Sequence, residues 1–218
     1  MIQAIQSKGS ILFWFVSVLK GSSDLIIGQD SYPIISQSLL ASRIVLEVYL
    51  REKDYSNAVV TSDECLKLLT QLETNTGKKL PRVWIGLQAV LATSLVHLFP
   101  PKHHTRAMRI IEGVLAQSPQ QMLCLMGQAY ILRDAGRWAD AAEVFSEVAK
   151  LAPDDAGHGL RAKEEYAWCH CQIGHTQKGL LTLNEVLKAL EQKDTCNSDC
   201  ARCLWRIGQC HWNTRSKF

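Results

Sequence analysis

Four positions in the middle of the chain recur after an interval of 34 residues. In order they hold alanine, a large apolar residue, valine and proline. The first set is Ala107, Ile111, Val114 and Pro119, and the second is Ala141, Phe145, Val148 and Pro153. A period of this length is typical of repeat proteins built from helix–turn–helix hairpins. Because one hairpin cannot bury its apolar face alone, the period predicts an all-α solenoid of stacked hairpins.

Glycine and proline divide the rest of the sequence into further helices. Pro100 ends one helix because proline cannot continue it, and Gly136 and Gly174 permit tight turns. These glycines are 38 residues apart, so that repeat has four extra residues, which fit at 154–159. Residues 71–82 are predicted to form a loop. The predicted helices lie around residues 42–49, 58–72, 83–99, 105–117, 125–132, 138–148, 160–172, 177–190 and 199–212.

The third predicted hairpin consists of the helices around residues 125–132 and 138–148. It resembles the tetratricopeptide consensus position by position. The matching residues are Leu125, Ala129, Leu132, Gly136, Trp138, Ala141, Phe145, Val148 and Pro153. The pair Gln128-Ala129 departs from the usual Leu-Gly, although alanine is still small enough for its site. The resemblance implies a right-handed solenoid of about four and a half repeats over residues 36–213. Residues 1–35 would be a poorly defined apolar segment and residues 214–218 a tail.

A narrower resemblance rests on four segments. They read SLVHLFPPKHH (94–104), CLMGQAYIL (124–132), RAKEEYAWC (161–169) and CLWRIG (203–208). Together they resemble the tetratricopeptide subunit of the fungal superkiller complex, a far longer protein, and residues 1–28 lie outside the match. The resemblance implies a cytoplasmic, or also nuclear, scaffold. That scaffold would hold a DExH-box RNA helicase and WD40 subunits that feed mRNA to the exosome for 3′-to-5′ decay. A generic tetratricopeptide adaptor of another complex is the alternative.

The net charge of the chain indicates which ligands it can bind, and its cysteine content indicates the redox environment in which it works. The net charge is only +3 and no run of like charge is present, so a nucleic-acid-binding tail is not indicated. The eight cysteines lie mostly inside helical patterns, which favours a reduced intracellular protein. The apolar run 11–19 is too short for a membrane span and has the length of a signal-peptide core. Lys20 directly follows it, so a buried helix, or a start that is not native to the domain, is favoured over secretion.

No pattern of residues predicts an enzyme, a cofactor or a metal. Cys196, Cys200 and Cys203 could begin a zinc site, but a second knuckle at suitable spacing is missing, so small cysteines in a packed helix are favoured. The run 102–104, Lys-His-His, is predicted to be a solvated turn or a helix cap. The pair Glu164-Glu165, at 164–165, is predicted to be a solvated helix face rather than an acid/base site.

The predicted function is therefore recognition of protein partners by shape. The first helix of each hairpin would line a groove, with Met126, Tyr130, Glu164 and Trp168 at groove positions and without the Lys/Asn clamp of chaperone-tail receptors. Tryptophans could stack on single-stranded RNA, but consensus positions favour their burial, so direct nucleic-acid binding is predicted to be weak or absent. A final helix that exposes Trp205 and Trp212 indicates a chain cut from a longer array.

Overall fold

The computed structural model describes residues 32–153, 157–192 and 197–215, and every regular element within these ranges is an α-helix. The predicted all-α fold is confirmed for this part of the chain. None of the described helices is both long and apolar enough to cross a membrane. The helices, in chain order, are α1 (Tyr32–Arg51), α2 (Tyr55–Thr76), α3 (Pro81–His97), α4 (His104–Leu115), α5 (Met122–Asp134), α6 (Trp138–Leu151), α7 (Gly159–Ile173), α8 (Thr176–Gln192) and α9 (Asn197–Arg215).

Some sequence predictions concern residues outside these ranges. They include the apolar run 11–19, part of the segment 154–159, Cys196, and residues 216–218 of the tail. The chain divides into two compact units, Met1–Leu98 and Phe99–Phe218. The domain boundaries at residues 35 and 213, the tetratricopeptide type, the hand of the solenoid and the number of repeats stay predictions.

The described part of the first unit consists of α1, α2 and α3 around one apolar core. Asp54 begins α2 by accepting a hydrogen bond from the backbone N–H of Asn57 at 3.2 Å, which satisfies a donor of the first turn. The core of this unit joins all three helices. Its buried residues are Leu39, Leu46, Ala58, Cys65, Leu69, Leu72 and Leu87.

The loop predicted over residues 71–82 is shorter than expected and covers only residues 77–80, because α2 continues to Thr76 and α3 begins at Pro81. The Thr76 hydroxyl donates to the Leu72 carbonyl at 2.7 Å, so a polar residue fits inside the last turn. Gly77 then ends α2 in the left-handed region, with φ of 68°. The Glu73 carboxylate accepts from the Leu80 backbone N–H at 2.7 Å and closes the short connection.

The second unit contains α4 to α9, and each helix packs on the next along the chain. The repeated positions share one environment, because the alanine, the apolar residue and the valine of both sets are completely buried. The core residues predicted for the third hairpin lie in the interior, while Trp138 is half-buried and Gly136 and Pro153 are exposed. The buried ones are Leu125, Ala129, Leu132, Ala141, Phe145 and Val148.

Glycine has a specific role at the turns that follow α5 and α7. Gly136 and Gly174 adopt φ of 75° and 102°, in the left-handed region that residues with a Cβ rarely occupy. Gly179 has a different role, because a Cβ there would lie 2.2 Å from Cys171 Sγ and 2.7 Å from the Ala167 carbonyl oxygen. Gly179 therefore lets α7 and α8 approach closely.

Candidate protein-interaction surface

Two adjacent glutamates of α7 lie in the interior of the second unit. Glu164 is 1% exposed and Glu165 is 0% exposed, so the prediction of a solvated helix face is wrong. A buried carboxylate is tolerated only when it is paired with charge or hydrogen-bond donors. The partners here are arginines of three helices. We call the whole set the arginine–glutamate cluster: Arg133, Arg161, Glu164, Glu165, Arg202 and Arg206.

Glu165 binds one arginine from each of three helices. Arg133 of α5 donates from Nη1 to Glu165 Oε2 at 3.0 Å. Arg161, one turn earlier in α7, places Nη2 at 2.9 Å from Glu165 Oε1. Arg206 of α9 donates from Nη2 to both carboxylate oxygens at 3.0 Å. The first helices of three successive predicted hairpins are thus joined through one carboxylate.

Glu164 faces α9 and holds that helix through two arginines. Arg202 donates from Nη2 to Glu164 Oε2 at 2.7 Å and from Nε to Oε1 at 2.9 Å, a bidentate arrangement. Arg206 Nη1 lies 3.1 Å from Glu164 Oε1, as an ion pair without hydrogen-bond geometry. Arg202 also contacts Asp199 of its own helix at 2.6 Å.

The two glutamates differ in their proton affinity. Burial favours the neutral form of both carboxyls. At Glu165 the guanidiniums of Arg206, Arg161 and Arg133 outweigh burial, and its pKa is lowered. At Glu164 burial outweighs the arginines, and the pKa is raised to about 7. Glu165 is therefore the permanent anion of the cluster, whereas Glu164 changes charge near neutral pH.

Aromatic side chains continue the cluster along α5, α7 and α9. Arg161 donates from Nε to the Tyr130 hydroxyl at 3.1 Å. The Arg206 guanidinium lies 5.4 Å from the centroid of the Trp168 ring, and Trp168 lies 6.2 Å from Trp205. Most of the side chains predicted to line the groove are therefore covered by neighbouring residues. Met126, Tyr130 and Glu164 are buried, and Trp168 is half-buried.

The arginines of this cluster were not anticipated as interacting residues. Arg133, Arg202 and Arg206 each lie 32 to 41 residues from a glutamate in another helix, which is about one repeat. The signal was present in the sequence, because basic residues one repeat away from Glu164 and Glu165 occupy the helices that flank α7. Reading charge at the repeat period, rather than only along one helix, would have revealed the pairing.

The outward side of α9 is apolar. Leu204, Trp205 and Trp212 are 53%, 58% and 75% exposed, as expected for Trp205 and Trp212 from the sequence. Cys203, Arg206 and Cys210 of the same helix are buried against the preceding helices. We call Leu204, Trp205 and Trp212 the α9 apolar face. Exposed apolar groups of this size mark sites where proteins bind other molecules.

The residues predicted as a histidine turn and as a cysteine site differ in their burial and in their partners. His104 is buried, so the prediction of a solvated turn is wrong for it, and its Nε2 lies 3.9 Å from Asp134 Oδ2. Burial raises the pKa of Cys203 to about 12, and its Sγ donates to the Leu183 carbonyl at 3.2 Å. Cys200 is half-buried. Among the described residues, no three His, Cys, Asp or Glu side chains are grouped so as to hold a metal ion.

In the described residues these features define an all-α fold in which the successive helices of each unit pack on each other, with an exposed apolar face on α9. No family model matches the chain. The chain is 25% identical over 188 residues to Superkiller protein 3 of Schizosaccharomyces pombe, which covers 86% of this chain and 13% of the relative. It is 25% identical over 170 residues to Superkiller protein 3 of Saccharomyces cerevisiae, covering 78% of this chain and 12% of the relative.

The predicted resemblance to the superkiller family, as a match to part of a much longer protein, is confirmed by these two relatives. The chain spans only about an eighth of the length of either of them, as the shares of 13% and 12% state.

Proposed function

We propose that this chain is part of a protein–protein interaction scaffold of the superkiller type. The observation that carries the proposal is the similarity to Superkiller protein 3 of two yeasts over most of the chain. The 34-residue interval between buried positions supports a tetratricopeptide array over residues 36–213, with about four and a half right-handed repeats. In this proposal the protein has no catalytic activity and works in the cytoplasm.

The proposed mechanism is presentation of a rigid set of helix faces. A scaffold needs its helices in a fixed relative position, because a partner recognises shape only if the shape is constant. The arginine–glutamate cluster serves this need in α5, α7 and α9, since Glu165 contacts arginines of all three helices. The α9 apolar face would then supply the contact area for a partner.

The proposed partners are a DExH-box RNA helicase and WD40-repeat subunits, in an assembly that delivers mRNA to the exosome. The test is purification of the complete protein under a tag from its source cells, followed by mass spectrometry. Helicase and WD40 subunits at near-stoichiometric amounts are expected. Recovery of the subunits of an unrelated complex instead would favour the generic adaptor.

A surface variant connects that experiment to the structure. Trp212→Glu places a charge on the α9 apolar face and should reduce recovery of a partner bound there. Leu181→Glu is the matched control, because Leu181 is also exposed, at 63%, but lies on α8. Equal recovery with both variants would remove the α9 apolar face from the proposal and leave the partner assignment standing.

A further inference from the structure

A cleft of about 310 Å³ opens between α6, α7 and α8. Its apolar lining includes Ala149, Leu160, Val186 and Ala189. This volume is near the lower end of the range for ligand sites, about 300–1,000 Å³. A cleft of that size accommodates one or two side chains of a protein segment rather than a large cofactor.

In the wall of the cleft, α7 has a lysine where the preceding hairpin has a leucine. The turn glycines Gly136 and Gly174 are 38 residues apart, and the same offset places Lys163 at the position of Leu125. Leu125 is buried in its hairpin, whereas Lys163 is half-buried. Its ammonium group points away from the core and donates to the Pro153 carbonyl at 3.4 Å. A half-buried lysine lays its alkyl chain along apolar surface and keeps its charge at the solvent boundary, so Lys163 brings a positive charge to the rim of the cleft.

The rim of the cleft is mainly basic. Lys150 and Lys163 line it, together with Tyr166 and a single carboxylate, Glu185. Lys178 lies next to the rim, with Nζ 5.2 Å from the centroid of the Tyr166 ring. Two lysines and one glutamate line the cleft, and Lys178 lies beside them, which gives a local excess of positive charge that attracts a negatively charged ligand.

We propose that this cleft binds a short acidic segment of a protein partner, which inserts an apolar side chain between α6 and α8. The apolar lining would hold that side chain, and the lysines would pair with carboxylates on either side of it. The site is separate from the arginine–glutamate cluster, because no residue of that cluster lines the cleft. The inference goes beyond the proposed function and holds for any complex to which the scaffold belongs.

The test begins with selection of short random peptides, displayed on phage, against the whole chain. Selected peptides are synthesised with a fluorescent label, and their affinity is measured by polarisation. We expect an excess of Asp and Glu around a Leu, Ile, Met or Phe. Affinity should fall as salt is raised, because surface charge pairing is screened by ions.

Paired variants locate the binding site. Ala189→Phe fills the cleft, and Ala139→Phe makes the same change at an exposed position of α6. Lys163→Glu reverses charge on the rim, and Lys188→Glu does so at an exposed position of α8 that does not line the cleft. Loss of a charged hydrogen bond weakens binding by roughly tenfold or more, which is the loss expected for Lys163→Glu. Ala189→Phe should cause a similar loss for a different reason, because it occupies the space of the inserted apolar side chain. The two control variants, Ala139→Phe and Lys188→Glu, should change the affinity for the peptide by less than about twofold.

Three results would overturn the proposal. They are selection that enriches no peptide, peptides without an acidic excess, and acidic peptides that bind the cleft variants as tightly as the controls. Thermal unfolding of each variant accompanies the titrations, and Lys163→Leu provides a second rim variant. That variant should also lose affinity while it keeps the fold, because leucine already occupies the equivalent position of the preceding hairpin.

Discussion

Replacing Glu165 by glutamine should destabilise the second unit strongly. The side chain is completely buried and accepts from arginines of α5, α7 and α9 at 2.9–3.0 Å. Glutamine keeps the shape but removes the charge and replaces one acceptor oxygen by an NH₂ group, which faces guanidinium donors. Removing one partner of a buried ion pair costs about 3–5 kcal/mol, because the other charge is left buried without compensation.

The expected loss for Glu165→Gln is near the lower end of that range, about 3 kcal/mol, for a structural reason. Arg206 is the most buried of the arginines, and it retains Glu164 Oε1 at 3.1 Å. Arg133 and Arg161 are partly exposed and can be solvated by water. Typical domains have 5–15 kcal/mol of stability, so the change should be easily measured by urea denaturation with far-UV circular dichroism.

The control is Asp140→Asn, which also converts a carboxylate to an amide in the second unit. Asp140 accepts from Arg137 at 2.6 Å, but both side chains are largely exposed. An exposed pair at the start of a helix contributes less than about 1 kcal/mol. If Glu165→Gln costs no more than this control, the cluster does not stabilise the packing of these helices. Hydrogen exchange should also locate the extra opening in α7 and α9, which Glu165 joins.

Three further predictions follow from other contacts. Gly179→Ala should destabilise the chain in thermal unfolding, because its Cβ would meet backbone and sulfur atoms, whereas Gly113→Ala has open space and should stabilise by up to about 1 kcal/mol. Glu164 binds its proton more tightly in the folded chain, with a pKa of about 7 against an ordinary 4.5. Its contribution to stability should therefore decrease as pH rises from about 4.5 to 7, by at most about 1.4 kcal/mol per pH unit, and Glu164→Gln should abolish that part of the slope in denaturation measured across this range. The chain should self-associate in light scattering, and Leu204→Ser with Trp212→Ser should shift it toward monomer, since each buried large apolar side chain contributes roughly 1.5–3 kcal/mol.

The helical core could be predicted because it depends on local periodicity. Ala141, Phe145 and Val148 follow one face of a helix at spacings of four and three, and the same face recurs one repeat earlier. The turns at Gly136 and Gly174 could also be predicted, because both glycines lie between apolar helical patterns. Both adopt positive φ in the structure. These features can be predicted from neighbouring residues alone, without knowing which residues far along the chain they contact.

The arginine–glutamate cluster could not be predicted in the same way, because most of its contacts join residues one repeat apart. Glu164 and Glu165 follow a lysine and precede a tyrosine, which reads locally as a polar face. Arg161 reaches them from one turn earlier in α7, but only packing of α5 and α9 on α7 brings the other three arginines to them. The loop error at 71–82 had a local origin: the threonine hydroxyl of Thr76 bonds to a carbonyl in the preceding turn, and a polar sequence can therefore stay helical.

Helix α9 reverses the usual arrangement of a surface helix, which turns its apolar residues toward the core. Its inward side carries Arg206 and two cysteines, and its outward side carries Leu204 and the tryptophans. Two arginine contacts to α7, together with the packing of Cys203 and Ile207 against the core, hold α9 without using Leu204 and Trp212. Those residues are then available to bury area against another molecule. Placing charge inside and apolar groups outside is costly for an isolated helix, but it suits a helix whose outer face is to be covered.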